Sequence, residues 1–172
     1  MSEPTTLIFV YGTLKRGYTN HTRYMGPAEE HGTARFLGRA VTVDKFPLVI
    51  RSKHLPPATC GPVMMDQPGV GNEIQVVRTN SRVVANRIVH LVQGELWYVN
   101  ASCLEGLDIL EGVKSGAYYH REIQVIELEG DGDDPIDRHS CIAYFYPAKE
   151  ELLALRPYLH NYGDAEHAQY LP

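Results

Sequence analysis

The chain has 172 residues, a length that one domain spanning 1–172 accommodates and that buries roughly 70% of the unfolded surface. Acidic residues outnumber basic ones 21 to 16, and the net charge of −5 comes with scattered Lys and Arg, which argues against a nucleic-acid partner. Charged residues at 22% and apolar residues at 44% are ordinary for a soluble globular protein, and no stretch reaches the ~20 apolar residues of a membrane helix, so no membrane partner is expected.

Leu7-Ile8-Phe9-Val10 has the length and composition of a buried strand, which we place at Leu7 to Tyr11. The strand feeds Tyr11-Gly12-Thr13-Leu14-Lys15-Arg16-Gly17. Gly12 allows a sharp turn or a close approach of the backbone to a ligand, and consecutive amides in such a turn can hold an anionic group. Gly17 to Met25 reads as a loop and a short helix, with Asn20 as its cap. Thr33 to Val43 reads as strand, kink at Gly38, strand, and Phe46 to Ile50 as another strand with Pro47 near its start. His54 to Arg82 is rich in Pro and Gly and reads as a long excursion with one short strand at Ile74 to Val77. Val83 to Val99 reads as two strands, or one bent at Gln93-Gly94. A short helix follows, capped by Asn100 and stopped by Gly112. Tyr118 to Leu128 is a strand, Glu129 to Arg138 an acidic turn, Ser140 to Tyr146 a strand ended by Pro147, and Lys149 to Leu155 a short helix before an aromatic, polar tail. Strands outnumber helices and follow one another closely, which favours a mixed or antiparallel sheet, closed into a barrel or open, over a parallel α/β sheet.

The helix after Asn100 carries a second signal. Leu104, Leu107, Asp108 and Glu111 form one helical stripe whose first two members are apolar and whose last two are carboxylates. If Glu111 is buried, burial, the like charge of Asp108 and the negative helix C-terminus all raise its pKa, which suits a general base. If the helix frays at Leu110, Glu111 is an ordinary solvated carboxylate. Glu95 and Glu122, which flank strands, are weaker candidates.

Other chemistries lack their motifs. G-x-S-x-G, P-loop, H-E-x-x-H and G-x-G-x-x-G are absent, and the eight histidines have no ligand-like spacing. Cys60, Cys103 and Cys141 form no C-x-x-C pair and read as reduced thiols of a cytoplasmic protein. The N-terminal residues lack the basic start and apolar core of a signal peptide.

Taken in order, Phe9 to Gly17, Phe46 to Ile50, Gly94 to Val99, Leu107 to Gly112 and Tyr119 to Arg121 resemble the gamma-glutamylcyclotransferase-like superfamily, in particular its gamma-glutamylamine cyclotransferase and AIG2-like branch. The resemblance implies an α+β fold, a small mixed β-barrel with flanking short helices. It implies an intramolecular reaction without metal or cofactor: the α-amine of a γ-glutamyl group attacks its own γ-carbonyl, 5-oxoproline closes and an amine leaves. Glu111 maps to the catalytic base. Tyr11, Gly12, Thr13 and Leu14 map to the substrate-binding loop, and Tyr119 and Arg121 to supporting positions. The partner is then a small γ-glutamyl substrate, while the oligomeric state, monomer or weak dimer, is left open by the sequence. Lys15 and Arg16 are either solvated cations or steering charges. His54 to Arg82 and Glu129 to Arg138 depart from the family pattern, the first at the pocket mouth. Alternative readings are the same chemistry on γ-glutamyl amino acids or glutathione, and a non-enzymatic ligand-binding or interaction protein with this fold.

Overall fold

Five strands close into a barrel, and the residues of the first show why. The structure, a computed structural model, describes residues 2–51, 61–66, 76–79, 82–85, 90–155 and 158–170. In β1 (Thr6–Val10) alternate side chains enter different cores. Phe9, with Tyr11 just after the strand, packs with Leu96, Val125, Ala143 and Phe145 on one face. Ile8 and Val10 pack with Trp97, Val99 and Leu107 on the other. A strand buried on both faces is apolar without alternation, which is the run seen in the sequence.

The remaining barrel strands are β2 (Ala34–Phe46), β7 (His90–Val99), β8 (Tyr119–Leu128) and β9 (Pro135–Phe145). Their order round the barrel is β1-β7-β2-β8-β9. All neighbours are antiparallel except β1 and β9, which close the barrel in parallel with Ile8 opposite Ile142 and Phe9 opposite Ala143. The expected kink at Gly38 is a register shift against β7 within one long strand. Gly94 does not bend β7. A Cβ there would strike the Val10 carbonyl and the Phe9 ring, so the glycine lets β1 lie close.

Pro47 separates β2 from β3 (Leu48–Arg51), so the expected strand over Phe46 to Ile50 begins two residues later. β3 pairs with β4 (Gly61–Met64), a strand lying within the expected excursion. A second hairpin joins β5 (Val76–Thr79) and β6 (Arg82–Ala85). It overlaps the strand expected at Ile74 to Val77, whose first two residues lie outside the described residues, as does most of the excursion. The helices are short. A π-helical turn, His21–Met25, leads into α1 (Gly26–Glu30), and α2 (Ala101–Glu111) lies against the outer core. α3 (Glu150–Leu153) packs with β3 and β4, and α4 (Asp164–Tyr170) occupies the aromatic, polar tail, to which the sequence assigned no element.

Candidate active site

A cavity of about 330 Å³ opens where three elements meet: the loop after β1, the C-terminal end of α2 and the β3–β4 hairpin. It is the size of a small-molecule site.

Tyr11, Gly12, Thr13 and Leu14 form the first wall and are all buried. The Gly12 carbonyl accepts from the Lys15 amide at 3.0 Å and the Thr13 carbonyl from the His21 amide at 2.9 Å. Among the described residues, the amides of Gly12, Thr13 and Leu14 donate to no protein acceptor. The Gly12 backbone is not left-handed. Its glycine is required because a Cβ would collide with Cγ of Pro62, so the close approach is to the hairpin. The Tyr11 hydroxyl is committed to the protein: it donates to the Tyr144 carbonyl at 2.7 Å and accepts from the Met64 amide at 3.4 Å. Burial, and then the Glu111 charge, push it well above the ordinary tyrosine range. Asn20 heads the π-helical turn without a capping bond; its side chain instead donates to Thr13 Oγ1 at 2.7 Å.

Glu111 forms the second wall. α2 does not fray before it. Asn100 caps the helix start by accepting from the Cys103 amide at 2.9 Å, and Gly112, with φ of 65°, ends it one residue past the glutamate. Leu107 anchors the same stripe in the core at 1% exposure. Glu111 keeps partial exposure through the cavity, yet dense surroundings push its carboxyl up to about 7. Burial is the cause. The expected contribution of Asp108 is absent because that carboxylate turns elsewhere, its Oδ1 accepting from the Tyr144 hydroxyl and from His120 Nε2, each at 2.6 Å.

Arg51, Pro62, Tyr118 and Tyr146 form the third wall. Tyr118 donates to the Pro62 carbonyl at 3.4 Å and stacks edge-to-face on Tyr146 at 5.1 Å. Burial pushes the Tyr118 hydroxyl well up, Tyr11 and Glu111 add to this, and Arg51 opposes it. Arg51 is 4% exposed, donates to the Tyr146 hydroxyl at 3.1 Å and sits 5.3 Å from that ring's centroid.

The structure thus brings Glu111 together with Tyr11, Gly12, Thr13 and Leu14. Tyr119 and Arg121 are not on the cavity: Tyr119 is exposed against Phe145, and Arg121 pairs with Asp66 at 3.2 Å above Phe46 and Phe145. Lys15 is not a solvated cation. It is 8% exposed and donates to Asn161 Oδ1 at 2.7 Å and the Tyr162 carbonyl at 2.6 Å. Arg16 lies over Phe36 and pairs with Glu29 at 2.9 Å. Sequence reasoning passed over Arg51, Tyr118, Tyr144 and Tyr146. For Arg51 a signal existed, a cation directly after the apolar Phe46 to Ile50 segment. Among the described residues no group of three or more His, Cys, Asp or Glu could hold a metal ion, and no helix is long and apolar enough to cross a membrane.

A closed barrel with short flanking helices is the fold that the sequence resemblance implied, and comparison with known proteins agrees on fold and family. The chain belongs to the gamma-glutamyl cyclotransferase, AIG2-like family, whose model matches residues 8–164. It is similar to the gamma-glutamylaminecyclotransferase of Mus musculus, 36% identical over 158 residues that cover 90% of this chain and 87% of the relative. The protein of the same name from Homo sapiens is 34% identical over 122 residues, covering 71% and 62%. The crystal structure of an AIG2-like protein from Mus musculus superposes with a TM-score of 0.65 at 33% identity, covering 92% of this chain and 88% of that one.

Proposed function

We propose that this chain is a gamma-glutamylamine cyclotransferase that releases 5-oxoproline and a free amine from a γ-glutamylamine such as ε-(γ-glutamyl)lysine. One observation carries the reading: a carboxyl pushed up to about 7 shares a small cavity with three uncommitted backbone amides. A base of that pKa is about half ionised at neutral pH and basic enough to take an ammonium proton. The amides are donors fixed before substrate arrives, which is what an anionic group or developing oxyanion requires.

In this mechanism the substrate folds so that its α-nitrogen meets its own γ-carbonyl carbon. Glu111 removes a proton from the α-ammonium. The amine attacks, a carbon–nitrogen bond closes the five-membered ring, and the carbonyl electrons move to oxygen. The amides of Gly12, Thr13 and Leu14 bind the α-carboxylate or that oxygen. The oxyanion then collapses, Glu111 returns its proton to the departing amine as the original amide bond breaks, and the second proton of the ring nitrogen passes to that amine, which leaves as an ammonium. Confinement of nucleophile and electrophile supplies several kcal/mol of barrier reduction and the base about 10²–10⁴-fold. Tyr11 contributes a wall and holds the strand end to Tyr144. Cys103 and Cys141 are both free, which supports a cytoplasmic setting.

The test is 5-oxoproline release from ε-(γ-glutamyl)lysine, γ-glutamylalanine and glutathione in parallel, with Glu111→Gln as the control. Release from the first, lost in the variant, is the expected result. Release from the other two alone moves the chain to the amino-acid branch of the same chemistry. No release from any refutes the reading.

A further inference from the structure

Three consecutive carbonyls of the binding loop are held by protein donors, two of them by one residue. The Gly12 carbonyl accepts from the Lys15 amide at 3.0 Å, the Thr13 carbonyl from the His21 amide at 2.9 Å, and the Leu14 carbonyl from His21 Nδ1 at 3.1 Å. A carbonyl only accepts, so Nδ1 of His21 carries the proton. A trans peptide holds its N–H opposite its C=O. The bonds to the Gly12 and Thr13 carbonyls therefore fix where the Thr13 and Leu14 amides point, which is away from the donors that hold those carbonyls. His21 does not line the cavity; its ring rests 5.5 Å from that of the fully buried Trp97. Thr13 and Leu14 do line it, and among the described residues their amides meet no protein acceptor.

Asn20 completes the arrangement from the cavity side. It lines the cavity, and its Nδ2 donates to Thr13 Oγ1 at 2.7 Å. A hydroxyl that accepts there keeps its own proton for another acceptor. Asn20 is the residue type that caps a helix start, yet its side chain makes no capping bond to the π-helical turn it precedes and serves the loop instead. π-helical turns are rare and recur at functional sites.

We propose that Asn20 and His21 are positioning residues for the binding loop: they hold its carbonyls and the Thr13 hydroxyl oxygen so that the Thr13 and Leu14 amides and the Thr13 hydroxyl proton are presented together to the substrate's α-carboxylate. This rests on the cyclotransferase reading above. The two oxygens of a carboxylate accept about four hydrogen bonds, which suits three donors on two neighbouring residues better than the single oxygen of an oxyanion does.

The α-carboxylate passes through the reaction unchanged and is still present in 5-oxoproline. The experiment titrates the protein by calorimetry with 5-oxoproline and with its primary amide, which keeps the ring and carries no charge. Wild type should bind the acid about tenfold to a hundredfold more tightly than the amide, the range for hydrogen bonds to a charged group. In Asn20→Ala, and in His21→Phe, which keeps a ring against Trp97, that ratio should fall about threefold to tenfold, and in the double variant it should approach one. KM for the γ-glutamyl substrate should rise in step with little change in kcat, because the carboxylate is bound alike before and during ring closure. Residues that only stabilise the fold would weaken both ligands alike and leave the ratio intact. A ratio near one in wild type, a ratio unchanged in the variants, or a loss confined to kcat overturns the proposal. If His21→Phe does not fold, the half-buried Asn20 decides alone through Asn20→Ala. A chain that prefers the acid, loses the preference in the variants and yet releases no 5-oxoproline from any γ-glutamyl compound keeps the positioning and loses the cyclotransferase reading; turnover with a ratio near one does the reverse.

Discussion

The raised pKa of Glu111 that equips it as a base also costs the fold stability, and the two effects run in opposite directions with pH. Below the ordinary carboxylate range, folded and unfolded chains both hold the proton. Between there and about pH 7 the folded chain keeps a proton that the unfolded chain has released, so stability falls as pH rises; above 7 the loss is complete. Melting curves of wild type and Glu111→Gln should therefore coincide near pH 4 and separate as pH rises, the variant being more stable by about 1–3 kcal/mol at pH 8. Activity runs the other way: kcat/KM of wild type should climb through about pH 7, and Glu111→Gln should lose about 10²–10⁴-fold and that limb of the profile. Gly12→Ala meets the Pro62 ring, so it should cost about 1–3 kcal/mol in denaturant melts and raise KM as the hairpin is pushed off the loop. The sequence read Gly12 as a sharp turn or a close approach to a ligand; the partner in the approach is a proline 50 positions away, and local spacing carries no trace of such a contact.

At the scale of the element, α2 shows what a sequence can and cannot reveal. Its caps are local chemistry, and Asn100 and Gly112 were legible because the residues they serve lie within a turn of them. Asn100→Ala should cost about 1 kcal/mol of stability and leave turnover nearly intact, because it frays the end remote from Glu111. Gly112→Ala forces a left-handed backbone on a side chain that also meets Ser115 Oγ at 3.0 Å and Ala117 Cβ at 3.1 Å. It should cost about 1–2 kcal/mol and reduce kcat as well, because the residue before it is the base. Calorimetry beside steady-state kinetics on the pair separates the two ends of the helix. The orientation of Asp108 was not legible. The tyrosine that claims it lies 36 residues on, in β9, and the histidine 12 residues on, in β8. The β3–β4 hairpin was hidden for the same reason: its strands are four residues each, and its Arg51 is set in the cavity by pairing and by Tyr146, neither of which leaves a periodic signal.

Across the whole molecule, the loop that lines the cavity also ties down the tail. Lys15 reaches Asn161 and Tyr162 from the other end of the chain, and burial holds its pKa down to about 8. Lys15→Met removes the donor to Asn161 and to the buried Tyr162 carbonyl and should cost about 1–3 kcal/mol, with amide exchange rising together in residues 12–16 and 158–170. Exchange rising in only one of the two segments would show that they are not held as a unit. A mixed or antiparallel sheet was foreseen from strand count and short connections and the barrel from the family resemblance, but the parallel pair that closes it was not legible, because β1 and β9 lie far apart in the chain. That closure sets a timetable for folding. Tyr11 is made early, yet its hydroxyl finds the Tyr144 carbonyl only after 133 further residues have been added. At about 5–20 residues per second the first strand waits on the order of ten seconds for the strand that completes it. The binding loop is thus made 133 residues ahead of the partner that fixes its start. A newborn chain holds no finished site until β9 has been made, so an arrest of synthesis between β7 and β9 leaves β1 paired on one edge only, its other apolar edge open.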